Sequence, residues 1–368
     1  MTEIGADDVE DLVLGSVFLA TGGGGDPYLP ELIAKQALTQ NGPATLIDPD
    51  SLDDDAFVVT IGSVGAPTCS LELLPSIDEA SETLAAYEAH IGRKVDAIAS
   101  FEIGGANSLI PLVAAAGRDL PVINGDGMGR ALPEAQMMSF SIEGIKATPS
   151  LARDYLGNIS TFVTGDTTTY ERHIRAYTAA AGGMVTAVEN PMSGADLKRS
   201  IIPRTFSFAR ALGQTIRENR GIAEDLLAPL KSVFEGSIYG EIRLIHMGKV
   251  TDKSTRIIGG YDIGEAQIAS FDPSGQSLTL SIKNEYLLAR SDSGEVLASV
   301  PDLITLVDYE TSQPINAERL RYGQRVAVFA MGCPALYRTP AALEVVAPRC
   351  FGFDVDYVPL EQLGEGLF

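Results

Sequence analysis

The sequence predicts an α/β protein: a three-layer α/β domain with a largely parallel sheet, joined to a C-terminal β-barrel-like domain. Three observations carry this. Buried strands and helices alternate up to about residue 234. Several of those strands stop at a glycine and an acid. Beyond Phe234 the alternation gives way to short, closely spaced runs with turn residues between them. A chain of 368 residues has room for two domains. They are read as 1–234 and 235–368, and the placement of the last segment, from about Val345, stays open.

The elements follow in order. Residues 6–20 begin with acids and carry apolar residues at helical spacing, which predicts a helix. Four glycines and Asp26-Pro27 separate it from a second helix at 28–40. AFVVTIG (56–62) is a β-rich run ending in glycine, and GAPT leads from it to a helix at 77–92. VDAIASFEIGG (95–105) is a strand ending in a glycine pair. The Ala-rich helix 106–117 closes on Gly117, and the strand LPVIN (120–124) runs into GDGMGR. ISTFVTG (159–165) and MVTAVEN (184–190) are strands flanking a helix with Tyr170, Ile174, Tyr177 and Ala181 on one face. Residues 193–220 form a long helix interrupted near Pro203, and 221–234 a further helix. From Ser237 to about Phe329, strands are punctuated by Asp272-Pro273-Ser274-Gly275 and Asp292-Ser293-Gly294.

Charge narrows the partners. A net charge of −22 argues against nucleic acid and anionic membrane, whose binding needs a basic face. It favours a freely diffusing protein with a small-molecule substrate, and a homo-oligomer is compatible with it. Three cysteines without a CxxC fit a reducing compartment. The acidic N-terminus lacks the basic start of a signal peptide, and no apolar run is long enough to span a membrane. A cytoplasmic protein is expected. His90, His173 and His246 are scattered, which argues against a histidine-held zinc site.

Three stretches carry chemistry. Gly22, Gly23, Gly24, Gly25 and Asp26 lie between helices, so they lack the strand that precedes a dinucleotide fingerprint, and no GK[ST] follows. No nucleotide is expected. Their N–H groups can still cradle a substrate oxyanion. FEIGGANS places Glu102 at a strand end and Asn107 at a helix start, a position suited to a general base. GDGMGRALPE sets Asp126, Arg130 and Glu134 beyond the next strand, with the acids as acid–base groups or ion ligands and Arg130 as a carboxylate clamp. Against these stand plain structural readings: a loop connection, a carboxylate satisfied by turn N–H groups, and an Arg130–Asp126 pair. Cys69 follows a strand and a glycine turn, but a core or surface role is the better reading of each cysteine and histidine.

The segments GGGGDPY, GAPT, FEIGGANSLIPLVAAA, GDGMGRALPE, SIKNEYLLA, VPDLI and RYGQRVAVFAM occur in one order over nearly the whole chain. In this the chain resembles the bacterial S-methyl-thiohydantoin desulfurase-like family, also described as hydantoinase-related. The resemblance implies an α/β domain joined to a distinctive β-barrel, and hydrolytic attack on a five-membered hydantoin- or thiohydantoin-like ring. The family often has cysteine before its first glycine run. Here Thr21 stands there, so no thiol can act at that point.

On such a ring, Glu102 or Asp126 would activate water, Gly22–Gly25 and Asn107 would stabilise the oxyanion, and Arg130 would hold a substrate carboxylate. If Asp126, Glu102 and Glu134 converge, they would instead hold a divalent metal ion. The competing class is a non-catalytic metabolite-binding protein, or an accessory subunit of a hydantoinase- or oxoprolinase-type system.

Overall fold

A computed structural model describes residues 1–66, 69, 76–259, 261–364 and 366–367; Pro67 and Thr68 of the GAPT turn lie outside the described residues. Among the described residues, nine strands form the first sheet: β1 Thr2–Ile4, β2 Ala44–Ile47, β3 Phe57–Gly65, β4 Ala97–Ser100, β5 Val122–Asp126, β6 Ser150–Arg153, β7 Ile159–Phe162, β8 Met184–Ser193 and β9 Ile202–Pro203. Their order is β1-β2-β5-β4-β3-β8-β6-β7, with β9 on β5. Strands β2, β5, β4 and β3 pair in parallel. Every other pairing in this sheet is antiparallel. The sheet is thus parallel at its centre, where β3, β4 and β5 are buried apolar runs, and antiparallel on either side. The antiparallel extension starts where Gly182 and Gly183, at φ 93° and 100°, turn the chain out of helix Thr167–Ala180 into β8.

The second sheet has seven strands: β10 Ile242–Ile258, β11 Tyr261–Ser270, β12 Leu278–Lys283, β13 Glu285–Ser291, β14 Val296–Ser299, β15 Leu303–Asp308 and β16 Arg325–Met331. They pair antiparallel in the order β14-β13-β12-β11-β10-β16-β15 and curl into a half-barrel around Ile245, Ile268, Leu280, Leu306 and Val328.

The long helix read at 193–220 is broken as the sequence implies. Helix Gly194–Ser200 ends, Ile202–Pro203 adds an edge strand to β5, and helix Thr205–Glu218 begins. That last helix crosses Val9–Leu19 at very close range. A Cβ on Gly15 would lie 1.7 Å from the Ala209 carbonyl, and one on Gly213 1.6 Å from that of Asp11, so only glycine permits the crossing. Arg217 grips Asp11 at 2.6 and 3.1 Å beside it. That pair is partly exposed and contributes at most about 1 kcal/mol, so the apolar contact dominates. Phe18 packs on Phe234 and Phe329 at 6.4 and 5.9 Å between ring centres, which seats the helices on the second sheet. No helix among the described residues is long and apolar enough to cross a membrane.

Candidate functional site

A cavity of about 190 Å³ opens beyond the C-terminal ends of β3, β4 and β5. This is the edge at which open α/β sheets gather their loops. Phe101, Leu109, Val113, Met128, Leu132 and Met138 give it an apolar lining. Glu102, Asn107, Glu171, Thr186, Glu189, Asn284 and Glu285 are the buried polar residues among those that line it.

Glu102 is fixed by its turn. Ser100 Oγ donates to the carbonyls of Glu102 and Asn107 at 2.7 and 3.2 Å and closes the chain beyond β4. Asn107 Nδ2 then donates to Glu102 Oε1 at 2.6 Å, and the Leu132 N–H to Oε2 at 3.3 Å. The Asn107 amide is itself held on β3, accepting from the Ser63 N–H at 2.7 Å and donating to its carbonyl at 3.3 Å. Burial pushes the Glu102 carboxyl up to about 8, against the pull of these hydrogen bonds.

Glu285, at the start of β13, comes from the other half of the chain. It is 2% exposed, and its Oε2 has no hydrogen-bond partner among the described residues. Burial raises its carboxyl well above the ordinary range, and the neighbouring Glu102 charge raises it further. Burial thus keeps both carboxyls protonated to higher pH than a free carboxyl. The sequence reading passed over Glu285. Its only signal was an acid in an otherwise apolar strand within SIKNEYLLA.

The glycine run is shaped to these groups. Gly24 and Gly105 sit at φ 71° and 58° with their backbones in contact: a Cβ on Gly24 would lie 2.4 Å from the Gly104 carbonyl, and one on Gly105 2.6 Å from that of Gly24. A Cβ on Gly22 would strike the Tyr286 ring at 2.5 Å, and one on Gly23 would strike Glu285 Oε1 at 2.1 Å. Gly24 and Gly25 reach the cavity, and their N–H groups meet no protein acceptor among the described residues. Asp26 turns away: it caps Tyr28 N–H at 2.9 Å, pairs with Arg319 and lines a separate surface cavity.

Asp126 and Arg130 lie behind the cavity wall, not in it. Asp126 Oδ2 accepts three backbone N–H groups, from Ile103, Met128 and Gly129, at 2.8, 2.9 and 2.7 Å. Burial pushes its carboxyl up to about 6, against the pull of these bonds and of the Thr205 hydroxyl. Arg130 is fully buried and donates to the carbonyls of Ala131, Pro301 and Asp302 and to Thr21 Oγ1. Its donors serve the junction with the second sheet, which leaves no fork for a substrate carboxylate. Tyr239 and Tyr337 donate to the Gly129 and Gly127 carbonyls at 2.6 and 3.2 Å. GDGMGR is therefore the knot between the two sheets, and it sets the positions of Met128 and Leu132 on the cavity wall.

Glu134 reaches the cavity but is paired with Lys283. Glu102, Asp126 and Glu134 do not converge. Among the described residues no group of three or more His, Cys, Asp or Glu could hold a metal ion. Three further lining residues went unread in the sequence. Glu171 accepts from the Ala135 N–H and the Tyr261 hydroxyl, each at 2.9 Å; Arg175 pairs with Glu171 at 2.8 Å and lies over the Tyr261 ring at 4.5 Å. Glu189 stands on β8 and, like Glu171, is a buried acid of the lining.

Two family models together match residues 7–360 of the chain. The S-Me-THD-like N-terminal domain covers residues 7–164, and the S-Me-THD-like C-terminal domain covers residues 165–360. Comparison with curated proteins gives no match. Among solved structures, an X-ray crystal structure of a protein from Chromobacterium violaceum is similar, with a TM-score of 0.78 and 21% identity over 98% of this chain and 100% of that one. At that identity the likeness concerns the fold alone.

Proposed function

The chain belongs to the S-Me-THD-like family, and on that premise we propose that it hydrolyses a small hydantoin- or thiohydantoin-like ring, with Glu102 and Glu285 as the acid–base pair. The observation that carries this reading is the pairing itself: two buried carboxyls, each raised by burial, in one cavity at the C-terminal edge of the sheet. Such groups exchange protons near neutral pH, where a free carboxylate cannot act as an acid.

On an S-methyl-thiohydantoin the steps balance as follows. Once the pair has lost one proton, its ionised member takes a proton from water as the oxygen adds to the ring carbon bearing sulfur. The protonated member gives its proton to the ring nitrogen as the C=N bond opens. The tetrahedral carbon then collapses. Its hydroxyl proton returns to the second carboxylate, the first carboxyl protonates the departing sulfur, and the C–S bond breaks. A hydantoin and methanethiol leave, and the pair regains its single proton. In a plain ring amide the nitrogen takes the place of sulfur as leaving group. The N–H groups of Gly24 and Gly25 are the donors available to the developing oxyanion. Asn107 positions Glu102.

The test is turnover by the purified protein. Methanethiol release from an S-methyl-thiohydantoin is followed with a thiol reagent, and ring opening of hydantoin by amide loss. Turnover that tracks the chain through purification supports the reading. Tight binding of hydantoin with no turnover makes it a metabolite-binding or accessory protein.

A further inference from the structure

The glycine run that reaches the cavity cannot hold its own shape. Gly22, Gly24 and Gly25 stand at φ 90°, 71° and 79°, and a glycine backbone has little preference of its own for one conformation over another. The bonds to its carbonyls show what fixes it. That of Thr21 accepts from the Tyr286 N–H at 2.6 Å, that of Gly22 from the Ala317 N–H at 2.8 Å, and that of Gly24 from the Ala106 N–H at 2.8 Å. The other two are served by one side chain. Asn316 Nδ2 donates to the carbonyls of Gly23 and Gly25 at 3.2 and 2.9 Å, which uses both hydrogens of its amide.

Asn316 comes from the far half of the chain, just before the short helical turn Ala317–Arg319, and is 3% exposed. It belongs to the separate surface cavity, with Asp26 and Arg319, and not to the one that holds Glu102 and Glu285. A trans peptide carries its C=O and its N–H on opposite sides. Holding the Gly23 carbonyl toward Asn316 therefore turns the Gly24 N–H away from Asn316 and its cavity. Holding the Gly25 carbonyl fixes the peptide that follows. The two bonds bracket the Gly24–Gly25 peptide, whose own carbonyl Ala106 holds.

We infer that Asn316 is a positioning residue: it touches no reacting atom, and by clamping the carbonyls of Gly23 and Gly25 it aims the Gly24 N–H at the developing oxyanion. The inference rests on the ring-hydrolase reading and goes beyond it by assigning this aim to a residue outside the reaction cavity. A donor fixed in direction before substrate arrives needs no reorganisation in the transition state. A donor on an unclamped glycine run would have to be ordered at that moment.

The experiment compares wild type, Asn316→Ala and Ser312→Ala. Ser312 is buried a few residues earlier, and its hydroxyl donates to the Gly221 carbonyl at 2.8 Å, so its loss removes a similar bond away from the glycine run. Hydrogen–deuterium exchange over the glycine run and the Glu102 turn is measured beside methanethiol release from an S-methyl-thiohydantoin. In Asn316→Ala the amides of Gly23 and Ala106, which donate to Ala20 and Gly24, exchange about ten-fold faster or more. Its kcat falls about ten-fold or more while KM stays within about three-fold. That is short of the roughly 10²–10³ that removing a donor outright costs, because the N–H remains but is no longer aimed. Ser312→Ala keeps wild-type kcat and wild-type exchange at the run.

Unchanged exchange in Asn316→Ala overturns the clamp, whatever kcat does. Faster exchange with wild-type kcat, or an equal loss of kcat in Ser312→Ala, overturns the positioning role and leaves the hydrolase reading standing. If Asn316→Ala does not fold, Asn316→Ser decides by the same two measures, since one hydroxyl proton can hold at most one of the two carbonyls. If wild type turns over none of the rings, the hydrolase reading fails, and exchange alone then upholds or overturns Asn316 as the clamp that aims Gly24.

Discussion

Asn107 donates to Glu102 at 2.6 Å while both its amide atoms are tied to the Ser63 backbone, so the end of β3 holds the carboxyl at the end of β4. A general base is useful only where its orientation is fixed before substrate arrives. Glu102→Gln keeps the shape and removes proton transfer. We expect kcat to fall by about 10²–10⁴ with little change in melting temperature, read from steady-state kinetics and calorimetry. Wild-type kcat in this variant would remove Glu102 from the chemistry.

Stability should fall as pH rises from about 5 to 8. Glu102 and Glu189 each carry a carboxyl raised from 4.5 to about 8. Between those values the unfolded chain releases protons that the folded chain keeps, so each such group lowers the unfolding free energy by about 1.4 kcal/mol per pH unit across the window. Carboxylates held low, such as Asp196 beside Arg199, act below this window and do not oppose it. Urea unfolding at pH 5, 6, 7 and 8 measures the slope, and Glu102→Gln should flatten it. A stability that rises over this range would show that the buried acids are ionised throughout.

The cavity takes in Gly24, Gly25 and Glu102, and Glu102 drew notice in the sequence because a strand that ends in an acid and glycines has few reasons to do so. Asp126 carries the same local signature and does something else. Three amides converge on one of its oxygens, and that is decided by how Ile103 is brought beside the 127–129 loop, which local sequence does not encode. Arg130 misled for a related reason, since its acceptors lie far along the chain at Pro301 and Asp302. Glu189 and Glu285 stayed hidden because β8 enters the sheet antiparallel and β13 belongs to the other sheet. Their meeting in one cavity is a property of the topology. The α/β alternation and the change to short strands, by contrast, were read from periodicity that tertiary contacts did not override.

Asp126→Asn and Asp126→Ala should separate. Asparagine retains one oxygen for the Ile103, Met128 and Gly129 amides, so the loop survives and kcat stays within about ten-fold. Alanine strands three buried donors, each costing about 1–3 kcal/mol when unsatisfied, and should lower the unfolding free energy by several kcal/mol. Denaturant titrations beside kinetics distinguish the two. An Asp126→Asn protein that folds normally and has no activity would return Asp126 to the chemistry.

Gly24→Ala should damage the cavity more than its size suggests. Gly24 stands at φ 71°, which costs an L side chain about 1–2 kcal/mol, and its added Cβ would lie 2.4 Å from the Gly104 carbonyl. Backbone cannot yield there without shifting Gly105 and, through Asn107, Glu102. We expect both a lower melting temperature and a loss of kcat. Gly42→Ala is the control: its φ of 107° is equally strained, but no atom lies within 4 Å of the added Cβ. It should lose stability with kcat unchanged, and equal kinetic loss in the two variants would mean that strain alone explains Gly24.

Arg130→Lys tests the role of the knot between the sheets. Arginine reaches Ala131, Pro301, Asp302 and Thr21 at once through a planar fork, at 2.9, 2.7, 3.0 and 2.8 Å. A lysine ammonium has three donors on a flexible stem and cannot span these acceptors together. It also leaves a buried cation less well compensated, since charge-assisted bonds here contribute about 1.5–3 kcal/mol each. The expected result is a loss of several kcal/mol in urea unfolding, with KM for the ring substrate changed less than about three-fold in the fraction that folds. Were Arg130 a clamp for a substrate carboxylate, the opposite would follow: KM would rise steeply for carboxylate-bearing rings while stability held. Measuring both quantities on one preparation decides between a residue that joins two sheets and one that binds a ligand.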